Sequence, residues 1–344
     1  MNSPLTSTVA APAAASVAAP VATKAPAQRP AVRCAPPWRA PLLLLIAGLA
    51  ACALFPEQLG LITRIFIAGL FVLSLDLVVG VAGLATLGHA ALFGLGAYAA
   101  GIFALHVHAD PLLGLGVGIA AGALTALVSG AFLLRYQGFT FLMLTVAVSQ
   151  IVLSLVQKAR DWTGGDDGLS GFAMAPLLGR FEFDLEGRVA AGYALAVLVL
   201  MFYAAQRLVQ SPFGLALRGI HENRARMAAL GTPVFRRLWL LYTVAGALAG
   251  AAGALSAQTN AVVGTDSLSF ALSAEALVML ILGGAGQLSG ALVGATVFTL
   301  LHHTAASINP YHWLFVVGGL LMLVVFVPPA RVWTWLRQRA GGGR

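Results

Sequence analysis

The sequence predicts an all-α polytopic integral membrane protein of about ten membrane segments (8–10, counting short ones), with both termini cytoplasmic. Three observations predict it. The first is composition: 59% of the 344 residues are hydrophobic and 9% charged, with a mean hydropathy of +0.89; soluble domains carry about 25% charged residues. The second is a series of apolar runs approaching the ~20 residues that a helix needs to cross ~30 Å of hydrocarbon. Among them are "PLLLLIAGLAACALF" (41–55), "IFIAGLFVLSLDLVVGVAG" (65–83) and "LFVVGGLLMLVVFV" (314–327). The third is where the charge sits, because five of the 18 arginines fall within "RGIHENRARMAALGTPVFRR" (218–237).

Taken in order, residues 1–40 are rich in Ala and Pro and carry Lys24, Arg29, Arg33 and Arg39 without an acid. They contain no Leu/Phe-rich run to form the core of a secretory signal, and read as a disordered cytoplasmic tail. Apolar runs and their breakers then place membrane segments at 41–56, 62–82, 88–107, 112–134, 139–157, 189–208, 238–258, 271–284, 288–306 and 312–329. Residues 41–330 thus form one membrane domain, with an external loop at 158–188 and a cytoplasmic loop at 209–237. A short basic cytoplasmic tail, 331–344, closes the chain.

Starting inside, this threading puts 15 of the 20 Lys and Arg residues on the cytoplasmic side. The other five are Arg64, Lys158, Arg160, Arg180 and Arg188; all but Arg64 lie in the 158–188 loop, where six acids outnumber them. Basic residues are retained inside, so this orientation is favoured over its inverse. The same rule accounts for a net charge of +8, which in a soluble chain would suggest nucleic acid; no nucleic-acid partner is expected here. The 39 glycines follow no three-residue period. Small residues let membrane helices approach closely, and "GALAGAAGAL" sets Gly246, Gly250 and Ala254 on one face.

Chemistry-bearing groups are few. There is no GxxxxGK[ST] loop, so any use of ATP belongs to a partner. Neither Cys34 nor Cys52 is placed for a disulfide or a metal. His302 and His303 diverge around a helix, and His106 and His108 straddle a loop, so no metal site and no cofactor are expected. No nucleophile, base and orienting acid are marked as a set. Asp76, in "VLSLDLVVG", and Glu275, in "SFALSAEALVML", are carboxylates in or beside apolar runs, which usually face a partner or a wet cavity. Two readings stand for each, a structural hydrogen bond or solvated end, and a place on a translocation path. Gly88 and His89 open a small-residue helix in "GLATLGHAALFGLGAYAAG", where the histidine either packs or lines a polar cavity. "LGGAGQLSGALVG" breaks an apolar run at Gly283, Gly284 and Gly286. Such a break is either a cytoplasmic turn or part of a transport path. "DWTGGDDGLSGF" (161–172) reads as a solvated external turn, without the calcium-loop pattern.

Four blocks in order resemble a known family, the LivM-type permeases of branched-chain amino acid (LIV-I/HAAT) ABC importers. They are "GLATLGHAALFGLGAYAAG" (83–101), "WTGGDDGLSGF" (162–172), "SPFGLALRGIHENRARMAALGTPVFRRLWLLYTVAGALAGAAGAL" (211–255) and "SAEALVMLILGGAGQLSGALVGA" (273–295). The first and third are the specific ones, and the resemblance spans about residues 60–330. The Ala/Pro tail and the C-terminal end carry no motif of the family. The resemblance implies a non-catalytic transport subunit in the bacterial inner membrane. Its implied partners are a second, LivH-like permease, two cytoplasmic ABC ATPase subunits and an external solute-binding protein. The implied solutes are branched-chain amino acids, or a related molecule such as urea, another amino acid or an aromatic acid.

In such importers a cytoplasmic loop forms a coupling helix that docks on the ATPase, with an acid and small residues followed by glycine. Here Glu222, Ala228, Ala229 and Gly231 match that pattern, and Arg218, Asn223, Arg224 and Arg226 lie on the same segment. Alanine suits a close-packed helix surface, and Gly231 with Pro233 can end the helix. The competing function is a stand-alone, ion-coupled secondary transporter. It would need an inverted repeat with paired broken helices and intramembrane ionisable groups; Asp76 and the glycine break supply part of that, with no clear second copy.

Overall fold

A computed structural model describes residues 39–172, 174–176 and 187–308, with positions 318, 319 and 322 beyond them. The 1–38 part of the tail, most of the tenth segment (312–329) and the tail at 331–344 lie outside the described residues. Among those described, seven helices are long and apolar enough to cross a membrane, and two apolar helices are shorter. The chain is accordingly an all-α polytopic membrane protein.

The helices follow the expected runs closely. They begin with α1 (Arg39–Leu54), α2 (Leu59–Asp76), α3 (His89–His106), α4 (Pro111–Leu133) and α5 (Phe139–Lys158). After the single turn α6 (Arg160–Thr163) come α7 (Arg188–Gln210), α8 (Pro212–Glu222) and α9 (Arg224–Ala229). The series ends with α10 (Val234–Asn260), α11 (Phe270–Gly283) and α12 (Leu288–Ile308). Local signals set several ends. Asp110 accepts a hydrogen bond from Leu112 N at 3.0 Å, with Pro111 at the first helical position of α4. Ser269 caps α11 in the same way, accepting from Leu272 N at 3.2 Å. Beyond Asp76, α2 continues as a π-helical turn, Leu77–Val81, which the apolar pattern does not distinguish from α-helix.

Packing at the centre depends on small residues. In α4, Gly114, Gly118, Gly122, Ala126 and Gly130 recur every fourth position and are all buried. They meet the expected Gly246–Gly250–Ala254 stripe of α10 so closely that a Cβ on Gly122 would overlap the Gly246 carbonyl oxygen. A Cβ on Gly96 of α3 would likewise overlap the Gly250 backbone. Lipid tails are as apolar as leucine, so the gain comes from van der Waals contact at short range. Helix α2 is surrounded by α7, α10, α11 and α12, and every residue from Gly69 to Val78 is buried. By contrast α4, α5 and α12 expose apolar side chains such as Leu124, Ile151, Leu155 and Val293, as lipid-facing helices do.

Residues 161–172 differ from the solvated turn that their sequence suggests. Asp166 and Asp167 are exposed, and Arg160 pairs with Asp166 at 3.7 Å on the surface. Leu169 and Phe172, however, are buried beside Tyr98, Val156 and Leu268. The strand β1 (Leu169–Ser170) pairs antiparallel with β2 (Val262–Val263), joining this loop to the α10–α11 connection. Gly168 permits the approach, with φ +75° and no room for a Cβ beside the Val263 carbonyl.

Candidate functional site

Two groups of buried polar contacts and one exposed basic segment adjoin α2 and its π turn. The first is at the start of α3. Ser74 Oγ donates to Phe71 O at 2.6 Å and lies 2.8 Å from His89 Nε2. A hydroxyl has one proton; with it committed to Phe71, Nε2–H is the donor to Ser74. That tautomer leaves Nδ1 an acceptor, buried and without a hydrogen-bond partner among the described residues. The imidazole stacks on Phe71, ring centroids 5.6 Å apart. The first amides of a helix have no partner within it, and here Ala90 N donates to Ser273 Oγ of α11 at 2.9 Å. Just before the helix, Leu87 N donates to Thr145 Oγ1 of α5 at 3.3 Å. Gly88 packs on the Thr145 carbonyl, where a Cβ would collide. His89 is therefore both a packed residue and an unsatisfied polar group at the centre of the bundle.

The second group joins two candidates 210 positions apart. Gly286 N donates to Asp76 Oδ1 at 2.6 Å. Asp76 is fully buried, and among the described residues its Oδ2 has no hydrogen-bond partner. The glycine break is thus a turn between α11 and α12, pinned to α2 by a charge-assisted bond. Gly284 and Gly286 have φ of +89° and +85°, a backbone region that side chains oppose. Gly80, in the π turn, clears the space: a Cβ there would collide with Asp76 Oδ1 and Gly286 N. Gly283 packs against the Gly290 backbone inside the hairpin. Glu275 stands apart from both groups, half-buried on α11 and interacting electrostatically with His302 of α12.

The third feature is the basic segment. It forms two helices where the sequence suggests one. Ser211 caps α8, accepting from Gly214 N at 3.4 Å, and Asn223 is extended at φ −157°. The Asn223 side chain then caps α9, accepting from Arg226 N at 2.9 Å. Glu222 consequently ends one helix, while Arg224, Arg226, Ala228 and Ala229 form the next. Gly231, with φ +79°, and Pro233 separate α9 from α10, as expected. No residue of α9 is buried. Leu230 is 70% and Leu215 62% exposed, two large apolar side chains beside the arginines. Partial burial lowers the pKa of the Arg224 guanidinium from its usual value, and no carboxylate among the described residues pairs with it. Arg218, on α8, is an exposed neighbour.

His221 ties this segment to α2. Its Nδ1 lies 3.3 Å from the Val81 carbonyl at the end of the π turn, and its ring fills the space beside Gly83. Sequence reading missed His221, Leu215 and Leu230. The first is a lone histidine in a basic run, and the other two become conspicuous only once the helix faces are known.

Contacts of this kind, threaded down a central span and ending on an exposed helical pair, belong to a multi-pass membrane protein whose interior is not merely a packed core. A family model described as "Branched-chain amino acid transport system / permease component" matches residues 58–325. The chain belongs to this family of transport permeases. It is 30% identical over 286 residues to the high-affinity branched-chain amino acid transport system permease protein LivM of Salmonella typhimurium, covering 75% of this chain and 65% of that one. It is 24% identical over 207 residues to a probable LivM of Methanocaldococcus jannaschii (57% and 58% covered). A third relative, 28% identical over 232 residues, is the autoinducer 2 import system permease protein LsrC of an Enterobacter species (63% and 65% covered). The chain therefore spans about two thirds or less of the length of these relatives. No solved structure matches it.

Proposed function

We propose that this chain is one permease subunit of an ATP-driven importer in the bacterial inner membrane. It carries branched-chain amino acids, or a related small solute such as urea or another amino acid, without catalysing a reaction itself. A second permease completes the path, two cytoplasmic ATPases supply the energy, and an external binding protein delivers the solute. The orientation is the one the basic residues favour, with α8 and α9 inside and the β1–β2 clasp outside.

The observation that carries the reading is the α8–α9 pair. It combines exposed Leu215 and Leu230, arginines with no ion-pair partner among the described residues, and a contact from His221 to the end of α2. An exposed apolar surface beside unpaired charge suits a protein partner, and the contact gives that partner mechanical access to the bundle.

The test is reconstitution. Vesicles holding the complete complex should accumulate leucine with ATP inside and loaded binding protein outside, and this chain alone should accumulate none under a proton or sodium gradient. Gradient-driven uptake by the chain alone would establish the secondary-transporter reading instead. Ala229→Glu should still insert, yet lose ATPase co-purification; retention of the ATPases would remove α9 from the docking surface.

A further inference from the structure

A cavity of about 500 Å³ opens between α2, α3, α10 and α11, at the end of the bundle that carries the β1–β2 clasp. That volume falls within the ~300–1,000 Å³ usual for small-molecule sites. Its lining is ordered by depth. Arg64 of α2 and Asn260 of α10 stand at the clasp end, beside Val262 of β2. One and two turns further in along α2 come Ala68 and Phe71, with Phe93 and Met279 from α3 and α11. Arg64 to Phe71 spans about 10 Å of helix at 1.5 Å per residue. Arg64 and Asn260 are thus at the mouth, Ser256 lies one turn further in on α10, and apolar groups form the floor.

The two polar groups at the mouth differ in what they offer. Arg64 has no ion-pair partner among the described residues and is exposed. Guanidinium presents a planar fork that matches a carboxylate. Asn260 uses its amide nitrogen internally, donating to Ser256 O at 3.0 Å and Ser256 Oγ at 3.3 Å. Its Oδ1 is left as an acceptor, which suits an ammonium group. The floor offers only apolar and aromatic surface: Phe71 and Phe93 lie 4.8 Å apart, ring to ring.

We propose that this cavity is a binding site for a neutral α-amino acid with an apolar side chain. Its carboxylate sits on Arg64, its ammonium on Asn260 Oδ1, and its side chain against Phe71, Phe93 and Met279. The site deepens the importer reading and rests on it, because it selects an aliphatic amino acid over urea, which has neither a carboxylate nor an apolar body. Below the floor, Phe71 stacks on His89, so the occupied cavity sits directly above the buried polar groups of α2.

A diazirine analogue of L-leucine tests the site in the complete complex, in nanodiscs and in transport vesicles. The expected labels fall on α2, α3 and α11 around Phe71, Phe93 and Met279. Excess L-leucine should suppress them, whereas leucinol, which lacks the carboxylate, should not. Arg64→Gln should reduce labelling and raise the KM for leucine by about tenfold, the size of one charge-assisted contact, with Arg64→Lys recovering part of it. Lys158→Ala removes a charge from the same face away from the cavity and should transport as the native chain does. If the native complex imports leucine but Arg64→Gln matches it, or the labels fall elsewhere, the site is overturned while the importer reading stands. Absence of leucine uptake by the native complex overturns both.

Discussion

Asp76→Ala isolates the tie between α2 and the α11–α12 turn. The native carboxylate, itself buried, accepts from the amide of exposed Gly286 at 2.6 Å. Hydrogen bonds to charged groups contribute about 1.5–3 kcal/mol, and alanine removes the acceptor, leaving the amide of exposed Gly286 to water. Opening of the turn should become easier by that amount, about 10- to 100-fold in the opening equilibrium. Amide hydrogen exchange of the 284–288 segment, read by mass spectrometry in nanodiscs where exchange follows the opening equilibrium, measures this directly. Exchange there should accelerate by that factor, while α4 and α10 stay protected because their contacts do not involve Asp76. Asp76→Asn keeps a carbonyl acceptor and loses only the charge, so its acceleration should be smaller. An unchanged rate at 284–288 in the alanine variant would refute the reasoning, since the bond would then hold nothing in place.

Two further substitutions test other parts of the fold. Gly250→Ala places a methyl against the Gly118 carbonyl, with Gly122 Cα 3.0 Å away. Overpacking costs about 1–3 kcal/mol, and backbone cannot rotate aside, so the loss should lie in the upper part of that range. A lowered melting temperature in detergent checks it, with lipid-facing Val293→Leu unchanged. Asn223→Ala removes the α9 cap, worth about 0.5–2 kcal/mol. Exchange at 224–230 should quicken by about 2- to 30-fold, and Asn223→Asp should restore protection because its carboxylate can accept the same bond from Arg226 N.

Much of this architecture was legible in the sequence because hydrocarbon imposes a length and a composition. The segments at 139–157 and 189–208 correspond to α5 and α7 within two residues at each end, and Gly246, Gly250 and Ala254 do form a packing face. The matching stripe on α4 was equally available as a four-residue recurrence of small residues from Gly114 to Gly130. What could not be read is anything that depends on two distant segments meeting. Asp76 and Gly286 were each conspicuous, one as a carboxylate in an apolar run and the other as a glycine in a break. Nothing in either run says that they bond. The helix break at Asn223 escaped for a different reason. Glu222 and Arg224 on either side of it are good helix formers, and its role as a cap is a backbone choice that competes with continuing the helix.

Helix α2, with its π turn, is common to the cavity, the His89 contact, the Asp76–Gly286 bond and the His221 contact. Its clasp-end half lines the cavity through Arg64 and Phe71, and its middle holds His89 through Ser74. Its far end holds the α11–α12 turn through Asp76 and meets α8 through the Val81 carbonyl. From Arg64 to Val81 is about 25 Å at helical rise, most of the hydrocarbon thickness. A helix this buried moves as a rod rather than bending residue by residue, except where its ladder is irregular. The irregular stretch is the π turn, Leu77–Val81, which lies between the Asp76 tie and the His221 contact. Such turns are often found at functional sites because their hydrogen-bond pattern is less committed than that of an α-helix. Under the proposed function, a push on α8 from an ATPase reaches α2 at its most deformable turn, one residue from the carboxylate that holds the inner hairpin closed. The Asp76→Ala variant therefore weakens the bond on which that push would act, and should raise ATP hydrolysis without raising uptake if the turn is part of the gate.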